Sequence, residues 1–399
     1  MASFLFREVL GDLAQKTRKA SKRPKPRAPR LPKRLLNLTD SVVVQRQARL
    51  LEEMEVRGVE GLIVSHLPNI FYLTGFFGSA GLAFFSARSR ILWVDPRYGI
   101  QAREQAKGVR VVVAPGNPFA ALVQRLNGNR RVRIGFESDR FSHAQYVHLR
   151  RNVKNFTQLI PVTGMVEQLR QIKDKWEVDA IRRACRLTVK IFEEIRDVIR
   201  PGIREKDLAA EIDHRLRSEG AEGTAFETIV VSGPRTALPH GVPSEKRIRK
   251  KELVLIDVGA ILNHYCADLT RTLFLGKPDS ETCRIYEQVR DAQQRAVESV
   301  LPGARGEQVD HAARAVLKRA KLDRWFTHST GHGVGLEIHE APRLARNVKD
   351  CLCPGSVVTV EPGVYRDGWG GIRIEDTVLV GTQGPEILTP ADKSNWVIG

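Results

Sequence analysis

The stretch VLIDVGAILNHYCADLTRTLFL, residues 254–275, contains two apolar runs that each carry one carboxylate and are separated by a short polar interruption. This pattern predicts a β-hairpin. The midpoint between Asp257 and Asp268 falls between Leu262 and Asn263. With those two residues as the turn, the carboxylates face each other directly across the strand pair, about 5 Å apart at Cβ. An unpaired carboxylate in such an apolar run costs several kcal/mol, so something must compensate it.

A second stretch, VVTVEPGVYRDGWGGIRIEDTVLV at residues 357–380, repeats this arrangement with Glu361 and Glu375. Its midpoint is Gly368, and a three-residue loop centred there sets the two acids opposite each other. Pro362 makes this register less secure because proline removes a ladder donor, and the neighbouring glycines favour a bulge. Paired carboxylates repel each other unless a cation lies between them. Two successive hairpins of this kind therefore predict a site for a hard divalent metal.

Between the hairpins, the stretch HSTGHGVGLEIHEAP, residues 328–342, sets His328, His332 and His339 among glycines. Glycine at this density argues against a helix, so we place these histidines on a strand or loop. Three histidines within twelve positions, in a chain with ten, favour a functional site over satisfied core residues. His240 lies in the turn-rich loop SGPRTALPHGVPS, which suits either the wall of a site or no function.

One imidazole and four carboxylates, two of them able to bridge, form a donor set for two ions such as Mn(II), Co(II) or Zn(II). Such ions lie about 3.5–4 Å apart, share a water whose pKa they lower, and polarise the carbonyl that it attacks. Thiolates are absent from the set, which disfavours structural zinc. The residues therefore predict hydrolysis of an amide or ester.

The basic charge of the chain is concentrated at its beginning. Residues 1–35 hold eleven Lys and Arg and two acidic residues. Their net charge of +9 is half of the formal net charge of +18 of the whole chain. Four prolines and few large apolar residues predict a disordered extension over residues 1–40. Such an extension could make weak contact with nucleic acid or another polyanion. No aromatic residue interleaves its basic stretch, however, which favours a solvated extension without a partner.

The rest of the chain predicts two folded segments. Strand-like and helical runs alternate over residues 41–163, beginning with a helix at 42–58, and indicate an α/β domain. A long helical region at 166–200 opens the second segment, residues 164–399. Five scattered cysteines, no apolar run long enough to span a bilayer and no secretory signal at the start predict a cytoplasmic protein without membrane contact.

At the quoted motifs, the sequence resembles the pita-bread metallopeptidases, in the branch that holds proline aminopeptidases (aminopeptidase P) and prolidases. The resemblance covers about residues 45–398, and the motifs occur in the order and spacing of that family. It implies an α/β (α+β) protein with an N-terminal creatinase-like α/β domain, which often contacts a second subunit, followed by a C-terminal pita-bread catalytic domain. A homodimer and two divalent ions, Mn(II) first and Co(II) or Zn(II) next, are therefore expected.

The resemblance also implies roles for individual residues. The implied metal ligands, with Asp268 and Glu375 bridging, are Asp257, Asp268, His332, Glu361 and Glu375. Because all five are present, the resemblance argues against the metal-free members of the family. His339 is implied to contact the substrate and stabilise the tetrahedral intermediate, and His240 to line the site. Glu361 is implied to take the proton of the bridging water, and Arg373 either supports the metal shell or compensates the charge of the acids.

The expected function is an aminopeptidase that cleaves the N-terminal Xaa-Pro bond of peptides with proline in second position, by attack of a metal-bridging hydroxide. The alternative is an Xaa-Pro dipeptidase (prolidase). A dipeptidase must bind the free carboxylate of its substrate with a positioned cation, whereas an aminopeptidase leaves that direction open. The sequence places none of its 64 Lys and Arg there. A second alternative is a non-catalytic peptidase-like binding protein, against which the intact ligand set weighs.

Overall fold

The computed structural model describes residues 38–127 and 131–399. The basic extension predicted over residues 1–40 therefore lies almost wholly outside the described residues. No helix in the described ranges is long and apolar enough to cross a membrane.

The first part of the described chain alternates strands and helices. In chain order its elements are α1 (Asp40–Val56), β1 (Gly61–Val64), α2 (Leu67–Thr74), β2 (Leu82–Ser86), β3 (Ser89–Val94), α3 (Gly99–Gln105), β4 (Arg110–Val113), α4 (Pro118–Leu126), β5 (Val132–Glu137), α5 (His143–Asn152) and β6 (Thr157–Val162). The strands form one sheet in the order β4-β3-β2-β1-β5-β6, in which β2 runs antiparallel to its two neighbours. Because β1, β5 and β6 are parallel, the residues that follow them lie at one edge of the sheet.

The long helical region predicted at 166–200 is two helices, α6 (Met165–Gln171) and α7 (Lys175–Arg196). The predicted helical region is interrupted because Asp174 caps a new helix. The Asp174 carboxylate accepts the backbone N–H of Glu177 at 2.9 Å, and the Glu177 carboxylate accepts that of Asp174 at 3.0 Å. This reciprocal capping box starts a helix and satisfies its first backbone donors.

The second part is built mainly from antiparallel strands flanked by helices, and only β20 among the described strands runs parallel to its partner, β12. Its elements are α8 (Glu205–Ser218), β7 (Gly223–Thr224), β8 (Ile229–Ser232), β9 (Glu252–Val258), β10 (Ala260–Leu262), β11 (Tyr265–Cys266), β12 (Leu269–Leu275), α9 (Ser280–Glu298), α10 (Gly306–Arg319), β13 (Gly331–Gly333), β14 (Glu340–Leu344), β15 (Val357–Val360), β16 (Gly363–Arg366), β17 (Gly370–Arg373), β18 (Asp376–Val380), β19 (Pro385–Ile387) and β20 (Val397–Ile398). The five predicted metal ligands lie on or directly beside strands of two of its sheets, which are ordered β20-β12-β9-β8 and β14-β13-β15-β18-β19.

The first carboxylate hairpin has a different register from the predicted one. Asp257 pairs with Thr270 rather than with Asp268, and Leu262 pairs with Tyr265. The turn is therefore Asn263–His264, one residue later than predicted, and both residues have positive φ, 55° and 66°. Two left-handed central residues are what a tight type I′ hairpin requires, and asparagine favours that conformation. As a result, Asp257 and Asp268 are diagonal neighbours on the strand pair.

The second carboxylate hairpin has the predicted register. Arg366 pairs with Gly370, so the loop is residues 367–369 with Gly368 at its centre. The same register continues on the far side of the two acids, where Val360 pairs with Asp376. Pro362 causes no bulge here, because its carbonyl accepts the opposite backbone N–H of Ile374 at 3.4 Å. Glu361 and Glu375 thus lie opposite each other, as the sequence predicts.

Candidate active site

Three carboxylates meet where the two hairpins come together. Asp257 on β9, Asp268 just before β12 and Glu375 just before β18 offer oxygen atoms that lie within 4.8 Å of one another. Burial raises the pKa of Asp268 and of Glu375 well above the ordinary range, and the nearby carboxylates raise both further. The cluster therefore resists holding several negative charges by itself.

Glu361 and His332 complete the group that the sequence predicts. The Nδ1–H of His332 donates to the Gly333 carbonyl at 3.0 Å. This leaves Nε2 facing Glu361 Oε1 at 3.4 Å and Asp268 Oδ2 at 3.7 Å. Burial lowers the pKa of His332 to about 4, so its ring is neutral at pH 7 and can act as a metal ligand. Burial, opposed by Arg373 and reinforced by Asp257, raises the pKa of Glu361 to about 8.

Arg373, on β17, holds the cluster from one side. Its guanidinium donates to Asp257 Oδ2 at 2.6 Å, to Thr270 Oγ1 at 3.1 Å and to the Tyr365 hydroxyl at 2.7 Å. Thr270 in turn donates to Glu375 Oε2 at 2.7 Å. Sequence reasoning missed Thr270 and Tyr365. The signal for Thr270 was its position two residues after Asp268, on the same face of the strand.

The donor set fits divalent ions by an observation that does not depend on the family. Asp257 Oδ1 is buried and has no hydrogen-bond partner within residues 38–127 and 131–399. A buried carboxylate oxygen without a partner is costly, and a cation removes that cost. Oxygen and imidazole donors without thiolate suit Mn(II), Co(II) or Zn(II).

The cluster lies at the wall of a cavity of about 870 Å³, which His240, His328 and His339 also line. The His339 ring centre is 4.4 Å from that of His332, and its side chain is exposed to the cavity. His240 is exposed in the loop that follows β8. His328 is more enclosed, and its Nε2 accepts the Tyr365 hydroxyl at 3.0 Å. The structure thus brings the five predicted metal ligands, Arg373 and the three other predicted histidines to one cavity.

Cations that sequence reasoning did not place also line the cavity. Arg140 and Arg170 come from the first part of the chain and from α6, and Arg343 comes from β14, four residues after His339. The sequence signal for Arg343 was its even spacing from His339, because residues an even number of positions apart on a strand lie on the same face. Arg140 and Arg170 had no local signal, because they reach the cavity through tertiary packing.

Buried carboxylates on two hairpins and the neutral imidazole of His332 lie together at the wall of one cavity. Residues of the α/β domain also line this cavity. Together these features define a metal-dependent hydrolase. The chain belongs to metallopeptidase family M24. Residues 179–382 match the family described as "Metallopeptidase family M24", and residues 46–172 match the "Creatinase/Prolidase N-terminal domain". The predicted family and fold, a creatinase-like domain followed by a pita-bread domain, are therefore confirmed, and this family implies divalent metal ions.

Relatives with both predicted specificities resemble this chain. An Xaa-Pro dipeptidase of Pyrococcus furiosus is 36% identical over 351 residues, which cover 88% of this chain and 99% of that protein. The structure of an Xaa-Pro dipeptidase from Bacillus anthracis has a TM-score of 0.86 at 35% identity, covering 89% of this chain and 100% of that one. An X-Pro aminopeptidase from Thermotoga maritima has a TM-score of 0.81 at 34% identity, covering 88% and 100%.

Proposed function

We propose that this protein is an Xaa-Pro dipeptidase, the alternative that the sequence left open, rather than the aminopeptidase first expected. The observation that carries this proposal is the position of Arg343. Dipeptidases among the relatives support it, although an aminopeptidase structure of comparable similarity means that the names alone do not decide the specificity.

Arg343 is a cation available to the substrate. It is exposed and lines the cavity beside His339, and its side chain has no hydrogen bond or ion pair to any residue that the structure describes. The other arginines of the cavity have carboxylate partners. These pairs are Arg373 with Asp257 at 2.6 Å, Arg170 with Glu337 at 2.8 Å, and Arg140 with Asp139 at 3.6 Å. Arg343 can therefore bind the free carboxylate of a dipeptide, and its planar fork suits that geometry.

The proposed metal ligands are Asp257, Asp268, His332, Glu361 and Glu375, holding two divalent ions, with Mn(II) as the first candidate. When bound, such ions polarise the scissile carbonyl and lower the pKa of the attacking water. Glu361 would then be the carboxylate suited to accept the proton of that water, the role that the resemblance implies. His339 can donate a hydrogen bond to the carbonyl oxygen as negative charge develops there. Arg373 keeps Asp257 oriented.

The experiment compares Ala-Pro, Ala-Pro-amide and Ala-Pro-Ala with the parent enzyme and with Arg343→Met. We expect the parent to prefer Ala-Pro, and Arg343→Met to lose about tenfold or more in kcat/KM on Ala-Pro, chiefly through KM, with little change on the amide. Arg346→Met is the matched control, since Arg346 is an exposed arginine three residues further on and does not line the cavity. Equal cleavage of Ala-Pro-Ala and an unaffected Arg343→Met would establish the aminopeptidase instead.

Three finer expectations accompany this proposal. We keep a boundary near residues 163–164 between the two folded domains, a homodimer, and a cytoplasmic location. Size-exclusion chromatography with light scattering tests the dimer. A non-catalytic binding protein remains the opposite outcome, and elemental analysis showing no bound Mn, Co or Zn together with no peptide cleavage would establish it.

A further inference from the structure

A closed ring of polar contacts joins the first sheet to the loop between the two site histidines. Glu137, at the end of β5, accepts the backbone N–H of His66 at 2.9 Å, and the His66 ring contacts Glu337 at 3.0 Å. Glu337 accepts from Arg170 at 2.8 Å. Arg170 donates to Asn69 Oδ1 at 2.7 Å, and the Asn69 amide donates to Glu137 at 2.7 Å, which closes the ring.

The ring is anchored in the loop that connects His332 on β13 to His339. Arg170 also donates a hydrogen bond to Glu340, the residue next to His339. Glu340 Oε1 accepts the backbone N–H of Glu337 at 3.1 Å. The Glu340 carboxylate lies so close to Gly335 that a Cβ atom there would be 2.5 Å from it. One carboxylate thus fills the inside of the loop.

The contacts at the centre of this arrangement are almost completely enclosed. The side chains of Arg170 and Lys173 are 2% and 0% exposed, and that of Glu340 is 7% exposed. Lys173 Nζ lies 3.2 Å from the second oxygen of Glu340. Buried ion pairs add little net stability, but breaking one leaves an unpaired buried charge. The value of such a network lies in fixing one geometry, because no other arrangement satisfies every member.

We infer that Arg170 is a positioning residue, which acts through Glu337 and Glu340 to hold the His332–His339 loop in its catalytic geometry. The first sheet thereby becomes part of the catalytic apparatus, although it supplies none of the proposed metal ligands. This inference rests on the proposed role of His339. Displacing a catalytic group by about 1 Å can cost about 100-fold in rate.

The experiment is a double-mutant cycle between Arg170→Met and His339→Ala, measured as kcat on the best dipeptide substrate of the parent enzyme. We expect Arg170→Met alone to lower kcat by about 10- to 100-fold, with KM and bound metal nearly unchanged. In the His339→Ala background, the same change should lower kcat by about twofold or less, because the group that Arg170 positions is already gone. Arg170→Lys should restore part of the loss.

A matched control separates positioning from general destabilisation. Arg46 is likewise buried, and it links α1 to the capping box through Asp174 at 2.9 Å and to the Tyr72 carbonyl at 3.1 Å. Its hydrogen bonds and ion pairs in the described structure do not involve the His332–His339 loop. Arg46→Met should lower the melting temperature as much as Arg170→Met does, with kcat unchanged below the transition.

Two results would overturn the inference. One is an unchanged kcat in Arg170→Met, and the other is an equal loss from Arg170→Met with and without His339. If Arg170→Met does not fold, Glu337→Gln, whose side chain is 28% exposed, replaces it in the same cycle. A shift of the His339 ring NMR signal in the Arg170 variant checks the positioning without relying on activity. If the parent enzyme shows no preference for dipeptides, that result counts against the proposed function alone.

Discussion

Arg373 donates to one oxygen of Asp257 at 2.6 Å, while the other oxygen of the same carboxylate is buried without a hydrogen-bond partner in the described ranges. The guanidinium therefore orients Asp257 without satisfying it. Asp257 is one of the three carboxylates that each offer an oxygen within 4.8 Å of the others. A metal-ligating carboxylate is expected to have one oxygen held by a supporting residue and the other oxygen available to the metal, as Asp257 has here.

This relationship separates the two roles considered for Arg373. If Arg373 only compensates charge, Arg373→Lys should bind metal as the parent does. We expect instead a loss of about 10- to 100-fold in metal affinity, because lysine cannot contact Asp257, Thr270 and Tyr365 together. Competition with a chelator of known affinity measures this, with Arg343→Lys as a control that lies outside the ligand support. Parental affinity in Arg373→Lys would favour charge compensation.

Asp268→Asn should have opposite effects on the metal-free and the metal-loaded protein. Without metal, burial raises the pKa of Asp268, and the nearby carboxylates of Glu375, Asp257 and Glu361 raise it further. Removing its charge should therefore raise the melting temperature in chelator. With Mn(II), the variant should lose most of the stabilisation that the parent gains, since a bound ion stabilises only through the sites that hold it. Full activity with two ions bound per chain would contradict the ligand assignment.

The sequence predicted the composition of the site better than its exact geometry. The spacing of Glu361 and Glu375 gave the correct register, because the loop around Gly368 follows local turn chemistry. The spacing of Asp257 and Asp268 did not. Its turn depends on His264, whose ring lies 4.0 Å from that of Phe77 and whose Nδ1 is 2.8 Å from Glu222. These tertiary contacts are invisible in a local pattern.

The cations of the cavity show the same limit. Sequence motifs located Arg373 because it lies beside a ligand. They could not distinguish Arg343, which has no carboxylate partner among the described residues, from Arg170, which has two. Which arginine is available to a substrate depends on what packs against it, and that is decided by residues more than 100 positions apart in the chain.

Glu177 gives a pH dependence that is separate from the metal site. Burial, opposed mainly by Arg46 and reinforced by Asp174, raises the pKa of Glu177 from 4.5 to about 7. The Tyr265 hydroxyl donates to it at 2.9 Å. A raised pKa in the folded state means that stability present below pH 4.5 is lost as the pH rises through about 7.

Glu177→Gln should remove that loss, because glutamine resembles the protonated acid. Between pH 5 and pH 8, the free energy of unfolding of the parent should fall by up to about 3 kcal/mol more than that of the variant. Urea unfolding in chelator at several pH values measures the difference. Glu386→Gln, which changes an exposed carboxylate paired with Arg182, is the control and should follow the parent. Parallel curves for parent and Glu177→Gln would contradict the prediction.

His332 and His339 should separate metal binding from chemistry. The Nε2 of His332 faces two carboxylates of the cluster at 3.4 and 3.7 Å, whereas His339 is exposed to the cavity and stacks edge-on against His332. We expect His332→Ala to lose bound metal. His339→Ala should keep its metal and its melting temperature while kcat falls by about 100- to 1,000-fold, the usual cost of removing one donor to a developing oxyanion. Elemental analysis and steady-state kinetics on both variants, with the metal that best activates the parent, make the comparison. If His339→Ala loses metal while His332→Ala keeps it, the two histidines have exchanged roles and Nε2 of His332 is not a ligand.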